Sequence, residues 1–121
     1  MSGWAALDLS QATIVSTAPD GVLRKAAELL QVELARRSGI TLPIAASAPA
    51  NGAAIVVGTV ESVPDVKVPD AAESYSIDID GATVRLVGRD ARGAMTAAGR
   101  LIRVADYGPG SLAVTLRRPL S

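Results

Sequence analysis

Apolar and polar positions along this chain follow two periods, one of about two residues and one of about 3.6. The run Ala12-Thr13-Ile14-Val15-Ser16-Thr17 is rich in β-branched residues and closes on Ala18-Pro19-Asp20-Gly21, which predicts a strand. Leu23, Ala26, Ala27, Leu30 and Leu34 then recur at helical spacing, while Arg24, Lys25, Glu28, Gln31 and Arg37 take the other side. Asp20 stands where a carboxylate caps a first turn, and Glu33 is placed four residues before Arg37 for a favourable pair. Gly39 supplies the left-handed residue at which helices stop. A short strand is expected between Ile40 and Ala45, restricted to an edge by Pro43, which has no N–H to donate. Ala46 to Gly52 reads as a loop, and Ala53 to Gly58 as a central strand buried on both faces. Thr59 to Glu73, with Pro64 and Pro69, reads as a long connection without regular structure.

The segment Ser74-Tyr75-Ser76-Ile77-Asp78-Ile79 alternates, Asp80-Gly81 turns, and Ala82-Thr83-Val84-Arg85-Leu86-Val87 returns. A two-residue Asp-Gly loop would set Ile79 opposite Ala82, Ile77 opposite Val84 and Tyr75 opposite Leu86 on one face. Asp78 opposite Thr83 and Ser76 opposite Arg85 would then form the wetter face. Asp90 is placed to cap a second helix whose buried stripe is Ala94, Ala98, Leu101, Ile102 and Ala105. Gly93 and Gly99 each cost this helix about 1 kcal/mol against alanine, so small residues there point to a close approach to the sheet. Asp106 to Gly110 stops it, and Leu112 to Leu116 forms a last strand. The predicted order is β-α-β-β-β-β-α-β, one domain over residues 1–121 with its core at about 12–116 and flanking segments at 1–11 and 117–121.

Composition narrows the chemistry. With no cysteine and no histidine among 121 residues, disulfides, thiolate nucleophiles, imidazole bases and His/Cys metal sites are excluded. Twelve basic residues balance twelve acidic ones, which gives no broad attraction to nucleic acid or anionic membrane. Trp4, Tyr75 and Tyr107 are the only aromatics, so the core is aliphatic and a stacking surface for sugars or bases is thinly supplied. The opening residues show no basic cluster and no long apolar core of a secretory leader, and no run approaches the length of a membrane span.

The remaining candidates each carry a simpler structural reading. Asp78 and Asp80 lie two apart on one strand, so their carboxylates project to one face about 7 Å apart, a spacing used in glycoside hydrolysis. The alternative is a turn residue and a solvated strand residue. Gly88-Arg89-Asp90-Ala91-Arg92-Gly93 places glycines and two arginines at a helix start, where anions bind, yet a capping Asp90 would occupy the donors an anion needs. Gly58-Thr59 reads as a turn. Lys25 on an exposed helix face and Lys67 in a proline-rich loop lack the desolvation that a nucleophilic amine requires. The acids show no calcium-loop spacing. No catalytic, cofactor-binding or metal residue is assigned; Asp20, Gly39, Asp80, Gly81, Asp90 and Gly93 are expected to be structural.

Four stretches in order carry a resemblance: Ala26 to Leu34 running into Ser38-Gly39-Ile40; Ile55-Val56-Val57-Gly58-Thr59; Glu73 to Ile77; and Val84 to Ala94 leading to Gly99-Arg100-Leu101-Ile102. Together they resemble the small N-terminal domain that precedes the catalytic barrel in β-N-acetylhexosaminidases and related α-glucuronidases. The resemblance implies an α+β two-layer fold, a mostly antiparallel sheet with two helices packed on one face. It implies no chemistry in this chain, since the paired acids of such enzymes lie in the barrel. The implied partner is a downstream barrel of the same polypeptide, with Arg117-Arg118-Pro119 about where the linker begins. The sheet's second face and its edges are expected to be free for docking. A free-standing carbohydrate-binding or self-associating module, using that face or the edge near Pro43, is the competing reading, and an independent hydrolase the third.

Overall fold

The computed structural model describes residues 4–117. Residues 1–3 and the expected linker residues Arg118 and Pro119 lie outside the described residues. The elements run β1 (Trp4–Asp8), β2 (Thr13–Ser16), α1 (Gly21–Ser38), β3 (Ile44–Ala45), β4 (Ala54–Thr59), β5 (Tyr75–Asp80), β6 (Thr83–Gly88), α2 (Ala91–Val104), β7 (Asp106–Gly108) and β8 (Ser111–Arg117). The expected order is present, with β1 and β7 added. The stretch expected only to flank the core therefore contributes a strand, and Leu9 just after it is fully buried.

A five-stranded sheet has the order β3-β2-β4-β6-β5, and a three-stranded sheet the order β1-β8-β7. The β5–β6 hairpin and both pairings of the smaller sheet are antiparallel. The strands β3, β2, β4 and β6, joined by longer connections, run parallel. The fold is thus α+β with two helices and mixed sheets. Both helices pack on one face of the larger sheet, because their apolar stripes converge on the same strand residues. Ala26, Ala27, Leu30 and Leu34 of α1 meet Ala94, Ala97, Ala98 and Leu101 of α2 over Ile14, Ile55, Val57, Val84 and Leu86, all buried. Alanines at the helix contacts let the helices sit close together, and the larger aliphatics fill the space toward the sheet. Each fully buried leucine or isoleucine contributes about 1.5–3 kcal/mol relative to exposure.

The hairpin register differs from the expected one. Ile79 faces Val84, Ile77 faces Leu86 and Asp80 faces Thr83, so the two loop residues are Gly81 and Ala82. Gly81 has φ 61°, whereas Ala82 is not among the residues with positive φ. Positive φ at the first central position alone is the type II′ pattern, which a glycine in that place favours. The partner shift is two residues, so each side chain keeps its face. Its consequence is that Asp78 lies opposite Arg85.

The connection after β4 also departs from expectation. Residues 60–73 contain no helix or strand, but they pack as a strap across the second face of the sheet. Val63, Val66 and Val68 are buried there against Val87, with Val56 and Val60 beside them. The face expected to be open is therefore largely covered.

At the helix ends, Gly39 is left-handed (φ 78°) and its N–H donates to the Ala35 carbonyl. Asp20 occupies the N-cap of α1 but makes no side-chain cap hydrogen bond, contrary to the sequence expectation. Gly21, the first helical residue, has φ 74°, in the left-handed region that favours glycine. Glu33 pairs with Arg36 rather than with Arg37; Arg37 lies 5.9 Å from the Tyr107 ring centroid instead.

Candidate functional site

The polar side chains that sequence reasoning raised converge where the strap meets β5, β6 and the start of α2. Arg85 is the centre of this cluster. Its Nε and Nη2 donate to the two oxygens of Asp78 at 2.8 and 2.7 Å, its Nη1 reaches Asp65 of the strap at 2.5 Å, and Asp80 lies 3.8 Å away. Only 16% of the Arg85 side chain is exposed, so the ion pairs are shielded on the sheet side. Hydrogen bonding to Asp78 holds the Arg85 guanidinium firmly charged, and the bond from Arg85 draws the Asp65 carboxyl below its usual range. A glycosidase pair needs one carboxyl kept protonated by an apolar surrounding. Here both oxygens of Asp78 are committed to a cation that Asp80 also approaches. The two carboxylates hold Arg85 in place, and Arg85 anchors the strap through Asp65.

Arg89 works beside it. Its guanidinium donates to the carbonyls of Val68 (2.5 Å) and Pro69 (3.1 Å), while Ser76 Oγ donates to the Lys67 carbonyl at 2.6 Å. Asp90 joins three elements: Oδ1 accepts from the Gly93 N–H at 2.8 Å, capping α2, and Oδ2 accepts from the Glu73 N–H at 3.0 Å. These two backbone donors, Glu73 foremost, lower the Asp90 carboxyl. The capping reading of Gly88 to Gly93 thus has a direct geometric counterpart, and the Gly93 N–H, a donor an anion would use, is taken. Both glycines are sterically required. A Cβ on Gly88 would collide with the Ala94 nitrogen, and one on Gly93 with the Ser74 carbonyl oxygen.

In open parallel sheets, ligands settle beyond the carboxyl ends of strands whose connections leave to opposite faces. Strands β2 and β4 form such a point, since β2 leads into α1 on one face and β4 into the strap on the other. Side chains fill it. Ser62 Oγ lies 3.1 Å from Thr17 Oγ1, Thr17 Oγ1 donates to the Val57 carbonyl at 3.2 Å, and a Cβ on Gly58 would sit 2.8 Å from Ser62 Oγ. Open grooves lie elsewhere among the described residues. One of about 420 Å³ lies against Ser16, Thr17, Pro19, Arg24 and Ile44. Another, about 780 Å³, runs between strap residues Val66, Val68 and Pro69 and edge residues Ser76, Ile77 and Asp78 of β5.

Lys25 and Lys67 are both exposed, and no group of three acids among the described residues is arranged to hold a metal ion. Asp80 and Gly81 lie at the hairpin turn and Gly39 at the end of α1, remote from Asp90 and Gly93 in the chain, so the residues expected to be structural serve separate corners. Asp65 had no sequence signal, Arg85 was expected only on the wetter face of the hairpin opposite Ser76, and Arg89 only as an anion contact; their role in holding the strap was not foreseen. The usable signal was the hairpin itself, because the type II′ register sets Asp78 opposite Arg85.

Fold and polar clusters together define a class: an aliphatic α+β domain whose charged groups fasten its own chain. The sequence agrees with this and goes further. Residues 2–110 match glycosyl hydrolase family 20, domain 2, and the chain belongs to that family, an accessory domain of glycoside hydrolases. No curated protein matches it in sequence. Among solved structures it is similar to a GH138 enzyme targeting pectin rhamnogalacturonan II, with a TM-score of 0.55 and 17% identity. That likeness is one of fold; it covers 77% of this chain and 13% of the other.

Proposed function

We propose that this chain is a non-catalytic domain that docks on the catalytic barrel of the glycoside hydrolase carrying it and stabilises that barrel. The observation behind this reading is a row of exposed aliphatic residues on the outer side of α1: Val22 (41% exposed), Leu29 (37%) and Val32 (54%). Their spacing of seven and three residues sets them on one helix face. The second sheet face already has its cover in the strap, which moves the docking surface from the sheet to the helix layer. Interfaces between domains of one chain bury about 600–1,500 Å² and are rather polar, which suits three apolar side chains set among charged ones.

The polypeptide encoded by the natural reading frame tests the reading. It is melted with and without residues 1–121, and the barrel transition is followed. The expected result is a barrel that melts several degrees lower without the domain. An unchanged barrel transition rejects the docking role. Turnover of nitrophenyl glycosides by the purified 121-residue chain would reject the non-catalytic reading.

A further inference from the structure

The larger sheet has two edges, and they are protected unequally. Strand β3 is two residues long and follows Pro43, which leaves little to pair with. Strand β5 is six residues long, holds neither proline nor lysine, and pairs on one side only, with β6. In its hairpin the Asp80–Thr83 pair closes the two-residue loop and exchanges both backbone hydrogen bonds. Bonded and non-bonded pairs then alternate. Ser76, Asp78 and Asp80 turn their backbone groups toward β6, while Tyr75, Ile77 and Ile79 turn theirs outward. Among the described residues no other backbone group bonds to these outward ones. The groove of about 780 Å³ runs along the same edge with Val66, Val68 and Pro69 of the strap as its far wall, so the space beside the strand is open.

An unpaired edge of this length is a template for another extended strand, and the sequence of β5 fits its own copy. In an antiparallel pair centred on Ile77, Ile77 meets Ile77 of the second copy, Tyr75 meets Ile79, and Ser76 meets Asp78. The outward residues then face each other and exchange both N–H···O bonds in every pair. Apolar side chains meet on the helix side, and no acid stands opposite an acid. Sliding the copies by two residues in one direction sets Asp78 against Asp78; in the other it sets Ile79 against Glu73, beyond the strand. Lys67 adds a charge match. It is exposed, lines the groove, and makes no ion pair among the described residues. Its carbonyl accepts from Ser76 Oγ, so the register that puts Ser76 opposite Asp78 brings Lys67 of each copy to the end of β5 where the other copy carries Asp78 and Asp80.

We infer that β5 is a self-recognition edge: two copies of this chain join antiparallel through Tyr75, Ile77 and Ile79, forming one continuous sheet about a two-fold axis at Ile77. The axis stands normal to the sheet, since that rotation reverses the strand while each residue keeps its face. Both helix pairs then lie on one side and both straps on the other. The helix layer stays uncovered, so this inference stands apart from the docking reading above. One strand from each copy makes a contact below the roughly 1,200 Å² of stable complexes, so the pairing is weak and follows concentration.

The test follows the 121-residue chain by sedimentation from about 1 to about 500 μM, with amide hydrogen exchange read residue by residue at both ends of that range. Wild type is compared with Ile77→Pro, which removes the central outward N–H, and with Lys67→Glu, whose exposed side chain takes no part in folding. Circular dichroism melts report whether each variant is folded. The expected result is a monomer that becomes a dimer as concentration rises, with the amides of Tyr75, Ile77 and Ile79 gaining protection in step. Ile77→Pro should stay monomeric. Lys67→Glu should raise the dissociation constant about 10-fold at about 50 mM salt and little at about 500 mM, the contact occurring twice in a two-fold dimer. If Ile77→Pro does not fold, the exchange pattern and Lys67→Glu carry the test alone. A chain monomeric over the whole range overturns the inference. So does a dimer in which those amides exchange as fast as in the monomer, since another surface then joins the copies. Protected amides with an unchanged Lys67→Glu overturn the register centred on Ile77. Protection of the same amides in a monomeric full polypeptide gives the edge to a strand of its own chain and likewise overturns it.

Discussion

Alanine at Gly93 and alanine at Gly99 should change stability in opposite directions, although both glycines lie inside α2. On helix propensity alone each substitution is favourable by up to about 1 kcal/mol. At Gly99 nothing opposes that gain, because the nearest atom to a new Cβ is the far end of the flexible Arg103 side chain at 3.9 Å. At Gly93 the new Cβ would overlap the Ser74 carbonyl oxygen and lie 3.2 Å from the Glu73 carbonyl carbon, both backbone atoms. Restoring ordinary contact means moving the strap's end bodily away from the helix. That Ser74 carbonyl also accepts the Arg89 N–H at 2.8 Å. Forcing an extra methyl into a packed site costs about 1–3 kcal/mol, and a strained or lost hydrogen bond about 1 more. Set against the propensity gain, Gly93→Ala should lose about 1–3 kcal/mol, while Gly99→Ala gains up to about 1. In a domain of this size 1 kcal/mol moves the melting temperature by about 3–6 °C, so the variants should melt about 3–24 °C apart on either side of wild type. Thermal and urea melts followed by circular dichroism measure this directly. A Gly93→Ala variant as stable as wild type would show that the strap does not rest on α2.

Two further outcomes follow from the polar anchors. Arg85→Met keeps an unbranched apolar stem and removes the guanidinium, so the strap loses its link to Asp65; tryptic cleavage after the exposed Lys67 should speed up about 10- to 100-fold, and an unchanged rate would place the strap's hold elsewhere. The carboxyls of Asp90, Asp65 and Asp8 are all lowered in the folded chain, by hydrogen bonds from Glu73, Arg85 and Ser10 respectively. Groups lowered on folding contribute stability that is present above their unfolded values and lost as pH falls through the folded ones. The urea midpoint should therefore hold near neutrality and drop through about pH 4 and below, and Asp90→Asn should flatten that drop. An identical slope in Asp90→Asn would refute the assignment.

What the sequence made legible was local. The 3.6-residue spacing of Leu23, Ala26, Leu30 and Leu34 and the glycine at 39 delimit α1 because helix formation and its stop depend on neighbours. Alternation in the hairpin assigns faces correctly even with a shifted register, since a two-residue shift preserves parity. What stayed hidden is non-local. Val63, Val66 and Val68 follow neither period, because they answer to Val56 and Val87 on the sheet rather than to a helix or strand of their own. Strand β1, with Ala5-Ala6-Leu7, has few β-branched residues and exists through pairing with β8 at the other end of the chain. Arg85 looked like a solvated strand residue until the turn type moved Asp78 opposite it.

The stretch that carries most of the family likeness, Val84 to Ala94, is also where nearly every side chain is fixed by the fold. Val84 and Leu86 enter the core and Val87 the strap contact; Arg85 and Arg89 hold the strap, Gly88 and Gly93 permit backbone approach, and Asp90 caps α2 while catching Glu73. A likeness concentrated there identifies how the chain folds and is indifferent to what the outer surface meets. Val22, Leu29 and Val32 on α1 and Arg100 and Arg103 on α2 are exposed and unconstrained by the core. Two chains with the same inner stretch but different residues at these outer positions should share this fold and differ in the surface they dock on. If the domain docks through its helix layer, as proposed, specificity for a partner would be carried there, and the strap side, closed by its own ion pairs, is the half that can stay the same.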